Sequence, residues 1–137
     1  MKYDFSKYIK LKYKNLGRDF SGIDCFGLIW LIFKEERNII LPDFTTLNYN
    51  PDLISSNHKD IIIDTIDTNN TYKKVKPPYK MFDCPIFLDS CTLTFANHIG
   101  MFITDTSFIH IRENTTVMVS QLDNYYNSKL YTVIRID

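Results

Sequence analysis

The 137-residue chain carries no excess charge of either sign: 16 lysines and arginines balance 16 aspartates and glutamates. A nucleic-acid surface normally shows a basic excess, so this balance argues against nucleic acid as a partner. Long apolar runs are missing too. The longest, LIWLIF at 28–33, is far shorter than the about 20 residues a bilayer span takes, so no membrane insertion is expected. The N-terminus, MKYDFSKYIKLKYKNL, is basic but contains Asp4 and has no apolar core of signal-peptide length. Cysteine is sparse: three residues, an odd number without regular spacing, do not make a disulfide framework. Thiols made in a reducing compartment are the expectation, with Cys84 and Cys91 read as small buried residues. Neither C-x-x-C nor H-x-x-x-H spacing occurs, so no structural zinc site is expected.

What is present is the composition of an ordinary folded chain, 45% hydrophobic and 23% charged, with aromatics raised to 15%. The length suits one domain, 1–137, with one sizeable core and a ring-rich interior or groove. Residues 1–12 mix Lys with Tyr, Phe and Ile as a short amphipathic helix would. KNLGRDFSG (14–22) reads as a loop. Asp24 is placed to cap a helix whose body is apolar on nearly every side, the pattern of a buried helix, running to about Asn38. Pro42 then bars its continuation. Residues 45–59 read as loop and 58–70 as a second, shorter helix, although its isoleucines would also suit a strand, with KVKPPYK (74–80) an extended connector. From residue 82 the pattern turns to period two, with candidate strands at 84–89, 98–103, 108–112, 115–119 and 130–135. Helices first and an antiparallel meander second make an α+β domain.

The seam at GRDFSGIDCFGLIWLIF (17–33) puts Cys25 in the first turn of the buried helix. The partial positive charge and free amides there favour thiolate over thiol, while an ionised Asp24 beside it works the other way. Taken alone, a structural cysteine is the commoner case. The histidines change the balance. His58 lies in a polar stretch and reads as a surface residue. His98 and His110 both fall in HIGMFITDTSFIHI, a β-hairpin pattern. A three-residue loop, Thr104 to Thr106, would set His110 opposite Gly100 and make His98 its diagonal neighbour, at roughly 7–8 Å. Gly100 would then remove the side chain that otherwise crowds the pair. A base and its orienting partner, delivered together, are what a cysteine nucleophile requires.

The run GRDFSGIDCFGLIWLIFKEERNIILPDF, followed by HIGMFITDTSFIHI, resembles the NlpC-type papain-like cysteine peptidases, which cut peptide stems of the bacterial cell wall. The shared elements are Asp24-Cys25-Phe26-Gly27, His98-Ile99-Gly100 and His110, twelve positions after His98. The resemblance covers roughly residues 13–136. GRD, the aromatic after the cysteine, LP after the helix and the closing TTVMVSQLDNYYNSKLYTVIRI look most like the family's phage-tail branch. It implies a papain-like α+β fold in which N-terminal helices, with Cys25 on a buried helix at about 24–37, pack on a C-terminal antiparallel sheet. It also implies a Cys-His-His triad: Cys25 as nucleophile, His98 as general base, and His110 accepting a hydrogen bond from His98. The backbone N–H of Cys25 would help hold the oxyanion. Tyr13, Asp24 and Phe26 are the implied substrate-side residues, Asp24 by recognising a free amine of the stem. The implied substrate is a peptidoglycan stem peptide cut at a D-glutamyl–diamino acid bond, with no metal or other cofactor. The implied setting is a protein made in the bacterial cytoplasm and carried with other tail proteins in a virion. An amidase, transamidase or processing peptidase acting on another acyl group, or a structural tail component with a vestigial site, are the alternatives. Two departures stand out: Phe26 occupies the usual serine position, and Phe82-Asp83 replaces the common Gly-Asp before the first core strand.

Overall fold

A computed structural model of the chain describes residues 3–41, 72–88 and 96–136. The expected helix at 58–70, His58 and Cys91 lie outside the described residues. The expected α+β architecture is what the chain adopts. One long helix, α1 (Cys25–Arg37), packs against antiparallel sheets built from the later strands. Asp24 caps α1 in extended conformation and accepts from the Gly27 N–H, as the sequence predicts. Asn38 closes the helix in the left-handed conformation, φ 57°, which asparagine tolerates better than most residues. Seven of the helix residues are buried, from Cys25 to Phe33, so the helix is a core element rather than a surface one.

Before α1 the chain forms a 3-10 turn at Ser6–Tyr8 and a two-strand ribbon, β1 (Arg18–Asp19) with β2 (Gly22–Ile23). The N-terminal amphipathic helix expected from composition is therefore reduced to one turn, from which Tyr8 reaches back to Glu36 of α1. Beyond the helix lie β3 (Tyr72–Val75), β4 (Cys84–Leu88) and β5 (Ala96–Ile99), then β6 (Met101–Phe102), β7 (Ser107–His110) and β8 (Met118–Gln121). A single helical turn, α2 (Asn124–Asn127), leads into β9 (Leu130–Ile136). One sheet has the order β3-β9-β4-β5 and another β6-β7-β8. β3 takes in the first residues of the stretch read as a connector, because β9 offers them a free hydrogen-bonding edge. The strand expected at 115–119 lies further on, at 118–121, and 111–117 carries the turn closed by Thr115 on Arg112.

The expected continuous strand 98–103 is broken at Gly100. The break has a cause. The chain leaves its pairing with β4, where Ile99 opposes Ile86, and enters the pairing with β7, where Met101 opposes Ile109 and Phe102 opposes Phe108. A β-carbon on Gly100 would lie 2.8 Å from the Phe108 ring and 3.2 Å from the Ile109 carbonyl oxygen. Only glycine lets the strand cross so close to β7. Both sheets bury their inner faces. Ile86, Ile99, Met101 and Ile109 join the α1 side chains in one core, and Phe87, Phe102, Phe108 and Val133 form a second cluster.

Candidate active site

The site begins with a knot at the start of α1. Asp24 has no exposed surface and its two oxygens are fully engaged. Oδ1 accepts from the Gly27 N–H and from Arg18 Nη1, both at 2.7 Å, and Oδ2 accepts from the Leu16 N–H at 3.0 Å. Arg18 also donates to the Gly17 carbonyl at 2.8 Å. That same carbonyl oxygen lies where a β-carbon on Gly27 would be, at 1.9 Å. The glycine of Asp24-Cys25-Phe26-Gly27 is thus required by the close approach of two backbones. Asp24 is enclosed and ties the loop to the helix. Arg18 is the residue the sequence reading left without a role; a basic residue six positions before a helix cap was its only signal.

Cys25 follows the knot and is almost wholly buried. The backbone N–H groups of Ile99 and Phe26 face its sulfur, so the thiol lies beside the strand that carries His98. Those amides and the Arg18 charge favour the thiolate, but burial and the neighbouring Asp24 charge outweigh them, and the thiol is pushed up to about 12. Burial and the Asp24 charge thus oppose the pull of the helix N-terminus on the thiol. Cys84 is buried as expected and lies 3.5 Å from the Phe82 carbonyl oxygen.

The hairpin register is the one the parity of His98 and His110 requires. Ile103 N–H donates to the Ser107 carbonyl, which leaves Thr104–Thr106 as the loop, and the pairing of Met101 with Ile109 sets Gly100 opposite His110. His98 Nε2 and His110 Nδ1 are then 2.8 Å apart, a hydrogen bond between two buried rings. His110 Nε2 lies 2.8 Å from Ser120 Oγ on β8. Rings enclose the pair: Phe87 beside His98, and Phe108 and Tyr126 beside His110. In this dry setting both histidines resist protonation. Burial and the neighbouring His110 and Arg112 hold His98 well below its ordinary value, and burial with Arg112 brings His110 down to about 3. Burial thus works against charge on all three groups.

Of the expected substrate-side residues, Tyr13 and Phe26 are half-buried and pack against the main core. Tyr13 sits where its N–H reaches the Thr115 carbonyl and its backbone bridges Ile23 of β2. Ser120, the residue behind His110, escaped the sequence reading because the strand carrying it was placed three residues too early.

The chain matches the sequence profile of the NlpC/P60 family over residues 10–136. No protein of curated function matches it at a significant level. The fold is shared with solved structures, among them three NlpC/P60 proteins. The NlpC/p60 domain of the peptidoglycan hydrolase SagA is 17% identical with a TM-score of 0.61, covering 96% of this chain and 92% of that one. A Staphylococcus aureus protein described as similar to lipoprotein, of the NLP/P60 family, is 15% identical with a TM-score of 0.62, covering 99% of this chain and 43% of that one. An NlpC/P60 family protein from Bacillus cereus is 20% identical with a TM-score of 0.64, covering 94% of this chain and 36% of that one. This chain thus spans nearly all of the SagA domain but under half the length of the other two. It belongs to the NlpC/P60 family.

Proposed function

We propose that this NlpC/P60 protein is a cysteine endopeptidase that hydrolyses peptidoglycan stem peptides at a D-glutamyl–diamino acid bond. The observation that carries the reading is the 2.8 Å bond between His98 Nε2 and His110 Nδ1, formed on the strand whose Ile99 amide faces Cys25. With Nε2 occupied, Nδ1 is the ring nitrogen of His98 left to take a proton from the thiol. In this mechanism Cys25 Sγ attacks the scissile carbonyl as its proton passes to His98 Nδ1, and the imidazolium is stabilised by donation to His110. The Cys25 N–H contributes to the oxyanion site. Collapse breaks the C–N bond, and His98 returns the proton to the leaving amine. A water deprotonated by His98 then hydrolyses the thioester, freeing the carboxyl product and the Cys25 thiol. Burial disfavours a separated thiolate and imidazolium, so in this reading the thiolate forms as attack proceeds and His98 works as a general base.

Tyr13 and Phe26, half-buried at the rim of the core near the helix start, are assigned to the substrate side. The description of SagA as a peptidoglycan hydrolase supports a wall substrate. The phage-tail setting, with other tail proteins as partners, is supported by the GRD, LP and C-terminal sequence features alone.

Digestion of purified cell wall with the wild-type chain and with C25A, followed by mass spectrometry of new termini, tests the reading. The wild type should release fragments with a new amine on the diamino acid and a new D-glutamyl carboxyl group, and C25A none. Intact stems under conditions where Cys25 is reactive would reject the wall substrate.

A further inference from the structure

We infer that Ser120 is a positioning residue that completes the proton relay behind His98. The inference rests on the cysteine-peptidase reading and extends it by one residue. Two buried ring nitrogens 2.8 Å apart must share one hydrogen, so only two arrangements of the line His98–His110–Ser120 satisfy both contacts. In the first, His98 Nε2–H donates to His110 Nδ1, and His110 Nε2–H donates to Ser120 Oγ. In the second, every hydrogen runs the other way: Ser120 O–H donates to His110 Nε2, and His110 Nδ1–H donates to His98 Nε2.

The second arrangement puts the remaining proton of neutral His98 on Nδ1, the nitrogen that must accept from Cys25. A relay so oriented has no base. The first leaves His98 Nδ1 free, and it is also the arrangement needed after transfer, when the imidazolium has a proton on both nitrogens and Nε2–H must donate. It requires an acceptor for His110 Nε2–H. His110 has no exposed surface, and the rings of Phe108 and Tyr126 pack around it. Ser120 Oγ is the hydrogen-bonding atom placed there. β8 delivers it because Ser120 pairs directly with Phe108, which makes it the diagonal neighbour of His110 across the β7–β8 ladder. Without that oxygen, the productive arrangement would bury an N–H with no partner, and the preference for it would be lost.

Long-range proton–nitrogen correlation spectra of the histidine rings, recorded on the full chain at neutral pH, test this together with steady-state kinetics. In the wild type His110 should be protonated on Nε2 and bare on Nδ1. In S120A that single form should give way to a mixture, and kcat should fall about tenfold, the rate equivalent of one hydrogen bond, with KM unchanged. S120T, which restores a hydroxyl, should recover both. A wild-type His110 protonated on Nδ1 overturns the inference. So does an S120A protein whose His110 form is unchanged, or one whose form shifts while kcat does not. If the wild type cleaves no wall substrate the peptidase reading fails, whereas the ring spectra still decide the place of Ser120.

Discussion

Gly27 and Gly17 meet backbone to backbone: a β-carbon on Gly27 would lie 1.9 Å from the Gly17 carbonyl oxygen. No side-chain rearrangement can relieve a contact with a carbonyl that Arg18 also holds. G27A should therefore lose about 3 kcal/mol or more, since overpacking outweighs the about 1 kcal/mol that alanine gains over glycine in a helix. Urea unfolding measures the loss. Activity should fall further than stability explains, because Cys25 is two residues away and small displacements of a reacting group cost about 100-fold.

The Arg18–Asp24 pair predicts a non-additive result. Both side chains are largely buried, Arg18 at 11% and Asp24 at 0% exposure. Removing one partner leaves a buried charge alone, so R18M and D24N should each cost about 3 kcal/mol. The double variant should lose clearly less than the sum of the two. Additive losses in unfolding free energy would show that the two residues act separately.

Phe82 stands where the family commonly has glycine, and its backbone is left-handed, φ 76°. The conformation costs a non-glycine residue about 1–2 kcal/mol. Against that, its ring packs edge-on against Tyr3, Phe5 and Phe33 and lies under the Arg37 guanidinium. Loss of a buried phenylalanine side chain costs about 3–5 kcal/mol. Packing wins, and F82G should be destabilised by about 2 kcal/mol despite relaxing the backbone. A stabilised F82G in thermal or urea unfolding would mean that the backbone term dominates.

Acid should weaken the fold before the carboxylates titrate. Both histidines have folded-state values below the unfolded value of about 6.5, so the unfolded chain binds the extra protons. Their contribution is complete above about 6.5 and is lost as the pH falls through the window toward about 3, the folded value of His110. Between pH 6.5 and 5 His110 should cost about 2 kcal/mol, and His98 acts in the same direction. Urea unfolding across that range should show the decline, and H110N should make it shallower. The same depression keeps His98 proton-free in mild acid, which moves the acidic limb of kcat/KM below the ordinary histidine range.

Much of this was legible in the sequence, for local reasons. α1 announces itself through Asp24, an unbroken apolar body and charged Lys34–Arg37. The hairpin register follows from the even spacing of His98 and His110 and a three-residue loop, which side-chain alternation turns into a shared face. What escaped depends on distant partners. β3 exists because β9 pairs with Lys73, Lys74 and their neighbours, and nothing in the local stretch records that. That Arg18 and Leu16 close over Asp24 is likewise unrecorded in the local stretch. The opposing effects of the helix N-terminus and Asp24 on Cys25 were both legible, but the burial that weighs against the thiolate is a property of the folded surroundings.

Activation of Cys25 by His98 is tested most directly by the rate at which a small alkylating reagent modifies Cys25. The measurement compares wild type with H98A at neutral pH, with site-resolved mass spectrometry and buried Cys84 as the internal reference. The wild type should modify Cys25 far faster than Cys84, and H98A should slow Cys25 on the order of 100-fold while leaving Cys84 unchanged. Equal and slow modification of both cysteines, unaffected by H98A, would contradict it.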